Sequence, residues 1–320
     1  MPNANSDFFL NNISKAYMLF EQAVIDEDSN PLAAEDMLNK IMPALLNSSV
    51  PIVGEADDFH NFSVAVLKRF DDYRVAMDIV EMGLKAYPAN TDLLADAIKY
   101  STNCAQREAA GKYYQELSSI SKAKWTWRSF SFSIDFLLGQ YLEGRAHSLK
   151  DGPAEALALV EEYKIYFPNR EDPWKCEEDI YSKTNNVTKS IEVLREAISK
   201  HKLCPKCWLR YADLMVDRGD YTEAAIYIKK LATNPISAES VNMAYVFYLD
   251  GLCRMTAWQQ TDEYQEEEFD EKTVLAIYRR FRKAVNHSDC RHNLREKILN
   301  LARTIYHETG IPANIQGVDE

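Results

Sequence analysis

The sequence has 320 residues, with 49 acidic and 37 basic side chains, so its formal net charge is −12. Its 46% of hydrophobic and 27% of charged residues exclude wholesale disorder, and its acidic balance argues against a nucleic-acid coat, because binding phosphates needs a basic face. The lack of a signal-peptide pattern or a long apolar run, and six irregularly spaced cysteines, lead us to expect a cytoplasmic protein that does not enter membranes.

The first third of the sequence predicts paired helices. Amphipathic stretches near 6–25 and 31–46 indicate a degenerate first pair, and a clearer helix occupies 72–88. When the clearer helix is shifted along the chain so that Ala76 falls on Ala110, its apolar positions again meet apolar or small residues. A small residue that recurs at this interval indicates a repeating structural unit.

The next unit is longer than the others. The step from Ala110 to the corresponding Ala156 exceeds the step from Ala76 to Ala110, and the extra residues fall in 122–151. Within it, 129–136 alternates apolar and polar residues as a strand does. We nevertheless predict a helix, because Leu137 and the residues after it resume helical spacing and an isolated strand would have no partner.

Two consecutive stretches, 171–204 and 205–235, align without gaps at the same shift that relates Ala76 to Ala110. Trp174 matches Trp208, and each stretch has the pattern of two short amphipathic helices joined by a turn. This alignment is the strongest evidence for a repeat in the sequence.

The C-terminal third predicts a second stretched unit, made of a long helix at 237–259, an acidic loop at 261–270 and a helix at 271–286. A final helix at 289–308 has one apolar face and stops at Gly310. We expect this last helix to cap the array.

The shared shift gives a helix–turn–helix period of about 34 residues, which resembles that of tetratricopeptide repeats (TPRs). The unit 205–235 carries the family pattern most fully, in Trp208, Tyr211, Ala212, Met215, Gly219, Tyr221, Ala224, Ile228, Leu231 and Pro235. The resemblance implies an all-α fold, a right-handed α-solenoid of TPR-like repeats with two stretched units and a C-terminal capping helix.

Solenoid repeats contact only their neighbours, so we predict one domain, 1–310, without a separate catalytic domain. The clearest repeats in it are 57–90, 91–121, 171–204 and 205–235. The remaining residues, 311–320, are predicted to form a flexible tail.

TPR proteins commonly bind extended peptides in a groove lined by the first helix of each pair, and the resemblance implies the same site here. The groove positions predicted in this way are Asn61, Phe62, Lys68, Arg69, Lys99, Asn103, Lys175, Asp179, Lys206, Arg210 and Asp213. Lys206 and Arg210 reproduce the K-x3-R with which chaperone-binding members help clamp a terminal carboxylate. The rest of that clamp is missing, since Cys176 stands where the family uses Asn. Two other interpretations of Lys206 and Arg210 remain, namely a looser contact with an acidic peptide and an ordinary solvated helix face.

The resulting hypothesis is a noncatalytic scaffold that binds a protein or peptide partner, with no cofactor and no direct contact with nucleic acid. The sequence has no phosphate-binding glycine loop and no HExxH or GxSxG motif. One alternative is an RNA-processing scaffold of half-a-TPR type, because Trp208 and Tyr211 form the W-x2-Y of such repeats, although Glu223 stands where they usually carry Arg. Another is a peptide-sensing regulator, although the N-terminal DNA-binding segment of that class is not evident.

Two further patterns have competing interpretations. His201, Cys204 and Cys207 form H-x2-C-x2-C, and with Cys176 they could bind zinc, but buried packing of the cysteines is the preferred prediction. Trp125 and its neighbour at position 127 could stack nucleobases. Residues two apart cannot share a helical face, so at least one of the two tryptophans is expected in the core.

Overall fold

The computed structural model describes residues 11–144, 153–266 and 269–318. In these ranges the secondary structure is helical, apart from one isolated backbone bridge between Asn12 and Val53. The predicted all-α fold of TPR-like helix pairs is therefore confirmed. The chain divides into two compact units, Met1–Pro168 (unit 1) and Asn169–Glu320 (unit 2), and each unit contains its own cluster of buried residues. The prediction of one domain, 1–310, stays a prediction beside this division into compact units.

The described residues of unit 1 form four pairs of α-helices. Their bounds are α1 Ile13–Ile25, α2 Ala33–Leu46, α3 Ala56–Phe70, α4 Tyr73–Ala86, α5 Thr91–Asn103, α6 Arg107–Ser118, α7 Trp127–Leu142 and α8 Ala154–Tyr166, with 3-10 turns at Asp26–Asp28 and Lys122–Lys124. The predicted helices near 6–25 and 31–46 correspond to α1 and α2, and the part of the first prediction at 6–10 lies outside the described residues.

Small residues at the repeat interval sit where the helices pack most closely. Ala76, Ala110 and Ala156, which align at the predicted shifts, are all buried on second helices. Gly83 on α4 is equally close to its neighbours, since a Cβ there would lie 2.9 Å from the ring of Phe59. The repeat register inferred from the sequence therefore corresponds to the contact surfaces between helices.

The stretched segment of unit 1 forms the helix that was predicted for it. Residues 129–136 lie within α7, whose first turn is capped by the Thr126 hydroxyl, which accepts the backbone N–H of Ser129 at 3.3 Å. Trp125 is buried, as expected for at least one of the two tryptophans, whereas Trp127 is 38% exposed. Positions 145–151 of the predicted segment lie outside the described residues.

Unit 2 also consists of α-helices, with two regular pairs first and helices of unequal length after them. Its helices are α9 Asp172–Lys183, α10 Val187–Lys200, α11 Pro205–Asp217, α12 Tyr221–Thr233, α13 Ser237–Ser240, α14 Met243–Gln259, α15 Asp262–Gln265, α16 Glu271–Val285 and α17 His292–Thr309. The repeats predicted at 171–204 and 205–235 match the pairs α9/α10 and α11/α12.

The two repeats of unit 2 share backbone geometry as well as sequence register. Asn185 and Gly219, which stand at equivalent positions of the two repeats, both have positive φ, 60° and 78°, in the turn between paired helices. Trp174 and Trp208 are both buried at the start of their first helices. The alignment made from the sequence is therefore an alignment of structure.

The helix predicted at 237–259 is in fact two helices. Val241 is extended, with φ −139° and ψ 159°, and separates α13 from α14. The side chain of Asn242 accepts the backbone N–H of Tyr245 at 2.9 Å, which caps the new helix. The chain therefore bends between α13 and α14, where a continuous helix was expected.

The predicted flexible tail is also wrong over its described part. Ala313, Ile315 and Val318 are buried in the core cluster of unit 2. The Arg303 guanidinium on α17 donates from Nε to the carbonyl of Gly317 at 2.9 Å. Apolar burial and this hydrogen bond hold 311–318 against the capping helix.

Within the described ranges, no helix combines the length and the apolar character that a membrane crossing requires.

Candidate functional site

Four of the predicted groove residues line one cavity in unit 2, with a volume of about 340 Å³. Its lining consists of Lys175, Lys206, Leu209, Arg210, Asp213, Ser240, Val241 and Tyr245. A fifth predicted residue, Asp179, is bonded to Lys175 at its edge. We refer to this as the unit 2 cavity.

Helical spacing explains why these side chains meet. Lys206, Arg210 and Asp213 lie on one face of α11, at intervals of four and three residues. Val241, at the bend between α13 and α14, and Tyr245, in the first turn of α14, also line the cavity. The break that the sequence did not predict is thus part of the site.

Arg210 is held by three hydrogen bonds. Its Nε donates to Oε1 of Glu178 at 2.9 Å, and its two terminal nitrogens donate to Asp213 at 3.1 Å and to the hydroxyl of Ser182 at 2.8 Å. The Tyr245 hydroxyl donates to the other carboxylate oxygen of Asp213. The guanidinium therefore has a fixed orientation at the cavity wall.

Glu178 is the buried member of this network, with a side chain that is 0% exposed. Burial raises the pKa of Glu178 above its ordinary value, and the charge of Arg210 opposes that rise. The Glu178–Arg210 pair is consequently an internal ion pair whose carboxylate has lost its hydration.

The two lysines of the cavity are paired in the same manner. Lys175 Nζ lies 2.9 Å from an oxygen of Asp179, and Lys206 Nζ lies 2.8 Å from Oδ1 of Asp172. An ammonium group has three N–H donors, so each lysine keeps donors available after its ion pair is made. The lining itself carries three cations and one carboxylate, with further carboxylates immediately behind it.

The groove positions predicted in unit 1 lie on two first helices, α3 and α5. Phe62 is a correction, because it is fully buried against Tyr17 and Phe20, with ring centroids 6.1 and 5.5 Å away. It belongs to the apolar stripe of α3 and cannot touch a partner. Asn61 and Lys68 are exposed on the same helix.

The other three predicted positions of unit 1 make local contacts. Arg69 Nε donates to both oxygens of Glu27, at 2.7 and 2.9 Å. The Lys99 ammonium lies 4.7 Å from the ring centroid of Phe132, and the Asn103 side chain donates to the carbonyl of Lys99 at 2.8 Å. These contacts are those of ordinary helix surfaces.

A polar network in unit 1 was missed by the sequence analysis. His60 Nδ1 lies 2.5 Å from Oδ2 of the buried Asp96, and Arg128 donates to His60 Nε2. Arginine is only a donor, so Nε2 accepts and the ring proton resides on Nδ1, directed at Asp96. These residues occupy three successive first helices. The available signal was their spacing, since His60 and Asp96, and then Asp96 and Arg128, are each separated by close to one repeat period.

The cysteine motif is packed into the core. Cys204 and Cys207 are fully buried, and burial raises the pKa of both thiols, that of Cys204 to about 12. The His201 ring lies 4.6 Å from that of Trp174. In the described ranges, no three His, Cys, Asp or Glu side chains are placed to share a metal ion, so the geometry gives no support to the zinc alternative.

This packing predicts a pattern of thiol reactivity. In the folded chain, iodoacetamide is expected to modify the half-buried Cys104, Cys176 and Cys290 at least tenfold faster than Cys204, Cys207 and Cys253, because the thiolate is the nucleophile and burial disfavours it. Mass spectrometry after timed labelling measures the rates, with the urea-unfolded chain as the control in which all six react alike. Labelling of Cys204 as fast as Cys176 would contradict the packing.

Comparison with known proteins gives similarity at the level of structure. No protein-family model and no curated protein matches the sequence. Human IFIT1, solved as a dimer with PPP-AAAA, superimposes with a TM-score of 0.50 and 14% identity, over 91% of this chain and 69% of its own. A tetratricopeptide repeat protein from Parabacteroides merdae gives 0.48 and 15%, over 90% and 98% of the two chains. TTC0263, a thermophilic TPR protein of Thermus thermophilus, gives 0.45 and 15%, over 55% and 89%.

At these identities the similarity concerns the fold alone. The helix pairs and the repeat register described above confirm the resemblance to TPR proteins for the fold, without a specific member.

Proposed function

We propose that the chain is a noncatalytic interaction scaffold, and that the unit 2 cavity binds an acidic protein segment by enclosing one apolar side chain and holding one neighbouring carboxylate. The observation that carries this proposal is the cavity itself, whose lining combines apolar side chains with three cations that are already held by ion pairs.

The apolar half of the cavity suits one side chain of a partner. Leu209, Val241 and the ring of Tyr245 form its wall, and about 340 Å³ is enough room for a leucine or phenylalanine side chain. Such a side chain would anchor the segment by removing apolar surface from water.

The polar half suits a single carboxylate. Lys206 and Arg210 stand one helical turn apart on α11, and both retain N–H donors after their internal bonds are made. The internal bonds hold these cations in place, which reduces the entropy lost when they bind a partner. This is the looser acidic contact foreseen from K-x3-R, without the remaining residues of a terminal-carboxylate clamp.

Charge also favours a protein over a nucleic acid as the ligand. The cavity's three cations, Lys175, Lys206 and Arg210, are accompanied by the carboxylates of Asp172, Glu178, Asp179 and Asp213. Arg170 also pairs with Asp172, so these ion pairs balance four cations against four carboxylates and offer no net positive charge to a chain of phosphodiesters, whose binding depends on neutralising many charges at once. A single carboxylate of a protein segment, by contrast, can be held by hydrogen bonds from the nearest N–H donors alone.

The test is a selection from a displayed library of linear peptides on the full chain, followed by fluorescence anisotropy of the selected peptides. We expect peptides that share an acidic residue beside an apolar one, with dissociation constants of about 1–100 μM. Leu209→Glu and Lys206→Glu should each weaken binding at least tenfold. Ile226→Glu and Lys229→Glu, at exposed positions of α12, are the matched controls and should leave binding unchanged.

Two results would overturn the proposal. Peptides bound equally by wild type and by both cavity variants would place the interaction elsewhere on the chain. Tighter binding of a triphosphorylated oligoadenylate than of any selected peptide, lost in Lys206→Glu, would favour the RNA-scaffold alternative.

A further inference from the structure

Unit 1 contains a second cavity that has no role in the proposed scaffold function. It lies between α6, α7 and α8 and has a volume of about 620 Å³, within the range of small-molecule sites. Tyr114 and Phe136 contribute aromatic surface, with ring centroids 5.3 Å apart. We refer to it as the unit 1 cavity.

The wall formed by α8 has an unusual order of side chains. Glu155, Ala158, Leu159 and Glu162 all line the cavity, so a carboxylate stands at each end of an apolar stretch. Seven residues are two helical turns, so the two carboxylates share a face and start about 10 Å apart along the axis. An acidic–apolar–acidic strip of that length complements a molecule with a cation at each end and a hydrocarbon between them.

One oxygen of these carboxylates has no hydrogen-bond donor among the described residues. Oε2 of Glu162 is shielded from solvent and makes no hydrogen bond among the described residues. The Lys122 ammonium, which also lines the cavity, lies 3.1 Å from the ring centroid of Trp125. Burial lowers the pKa of Lys122 to about 8, and Glu162 opposes this change. Glu162 therefore brings to the cavity lining a carboxylate with one oxygen that no described donor satisfies, and a bound ammonium group would supply a compensating charge.

We propose that the unit 1 cavity binds an aliphatic polyamine, with one ammonium group on Glu162, a second on Glu155 and the methylenes between them against Leu159 and the rings of Tyr114 and Phe136. Two carboxylates face one lysine in the lining, which favours a cationic ligand. The aromatic faces add attraction for ammonium groups. The ligand is recognised by its two charges and its length.

The structure provides a pair of substitutions that separate a filled cavity from a disturbed fold. A Cβ at Gly111, which lines the cavity, meets no atom within 4 Å, and a Cβ at Gly139, outside the lining, likewise meets none. Gly111→Leu should therefore occupy the cavity, and Gly139→Leu is its matched control. Both replace a glycine inside a helix, where leucine is the better helix former.

The experiment is isothermal titration of the full chain with spermidine in physiological salt. We expect wild type and Gly139→Leu to bind alike, and Gly111→Leu, Glu162→Gln and Glu155→Gln to bind at least tenfold more weakly. Putrescine, which is shorter, and octylamine, which has one ammonium group, should also bind at least tenfold more weakly. Lys206→Glu, in the unit 2 cavity, should not alter spermidine binding, so this proposal and the scaffold proposal fail independently.

Three results would overturn the proposal. Equal spermidine binding by Gly111→Leu and wild type would mean that spermidine is attracted diffusely to an acidic chain. Complete displacement of spermidine by magnesium, at the same total concentration of positive charge, would mean the same. Absence of binding by the wild type would exclude the ligand class. If octylamine or a lysine-containing peptide bound as tightly as spermidine, one ammonium group would suffice for binding. The cavity would then fit the lysine side chain of a protein partner and not a polyamine.

Discussion

Replacing Arg210 with alanine is expected to lower the free energy of unfolding of unit 2 by about 3–5 kcal/mol. The variant would leave the carboxylate of Glu178, which is 0% exposed, without its cation, and would also release Asp213 and Ser182. Urea unfolding followed by circular dichroism and by tryptophan fluorescence measures the loss.

A pH series distinguishes the buried charge from a general loss of packing. A carboxyl whose pKa is raised in the folded state binds more protons there than in the unfolded state. Its contribution to the free energy of unfolding is therefore lost as pH rises through that raised pKa. Burial raises the pKa of Glu178, and removing Arg210 removes the opposing charge. The deficit of Arg210→Ala should therefore shrink as pH falls from neutrality towards the ordinary range of a glutamic acid.

The matched control is the double variant Glu178→Gln/Arg210→Met, which removes both charges and keeps the volume. Exchanging a buried ion pair for less polar groups is often neutral, so we expect this variant to recover most of the loss. A deficit below about 1 kcal/mol in Arg210→Ala, comparable to that of an exposed pair, would show that the network is not a buried one.

Replacing Gly251 with valine is expected to destabilise unit 2 by about 3 kcal/mol, at the upper end of the range for overpacked cores. A Cβ at Gly251 on α14 would lie 2.4 and 2.6 Å from two ring carbons of Phe281 on α16. Phe281 is fully buried and cannot move into solvent. The close approach of these two helices therefore depends on the missing side chain.

Gly251→Ala and Gly251→Val, each with and without Phe281→Leu, form a double-mutant cycle for this contact. Since leucine removes the ring carbons that clash, the combined variants should be less destabilised than the single variants together predict. Gly139→Ala is the control for helix propensity and should gain about 1 kcal/mol in unit 1. If Gly251→Ala were as stable as Gly139→Ala, the packing between α14 and α16 would be looser than described.

The repeat was predictable because close helix packing admits only small residues at fixed positions. Ala76, Ala110, Ala156 and Ala224 mark these positions in the sequence and are buried in the structure. The error at Phe62 came from assigning the groove by repeat position alone. Phe59, Phe62 and Val66 have the helical spacing of a buried stripe, which outweighs the family position.

The two other errors concern segments where short-range signals compete. Residues 237–259 are rich in helix formers, and the capping side chain of Asn242 was the only local indication of a new start. Residues 311–318 were predicted to belong to a flexible tail, although Ala313 and Ile315, two residues apart, are both buried. Irregular backbone can be well packed, and composition alone does not reveal it.

The sequence analysis predicted the cations of the candidate site but not the carboxylates with which they pair. Lys206 bonds to Asp172 and Arg210 bonds to Glu178, and in each pair the carboxylate lies close to one repeat period earlier in the chain. In a repeat protein, residues about one period apart on first helices are neighbours, as i and i+4 are within one helix. Searching for opposite charges at that interval would have found these pairs, whereas the enclosing bend at Val241 carries no such periodic signal.

The division of the buried residues into two clusters bears on how any variant of this chain is measured. With one cluster in each unit, the chain need not melt as one cooperative body, and a single melting temperature would average two events. The same property supplies an internal standard. Substitutions at Arg210 or Gly251 report on unit 2, while unit 1 unfolds in the same tube at the same concentration and pH, and a shift shared by both would expose a change in the sample rather than in the protein.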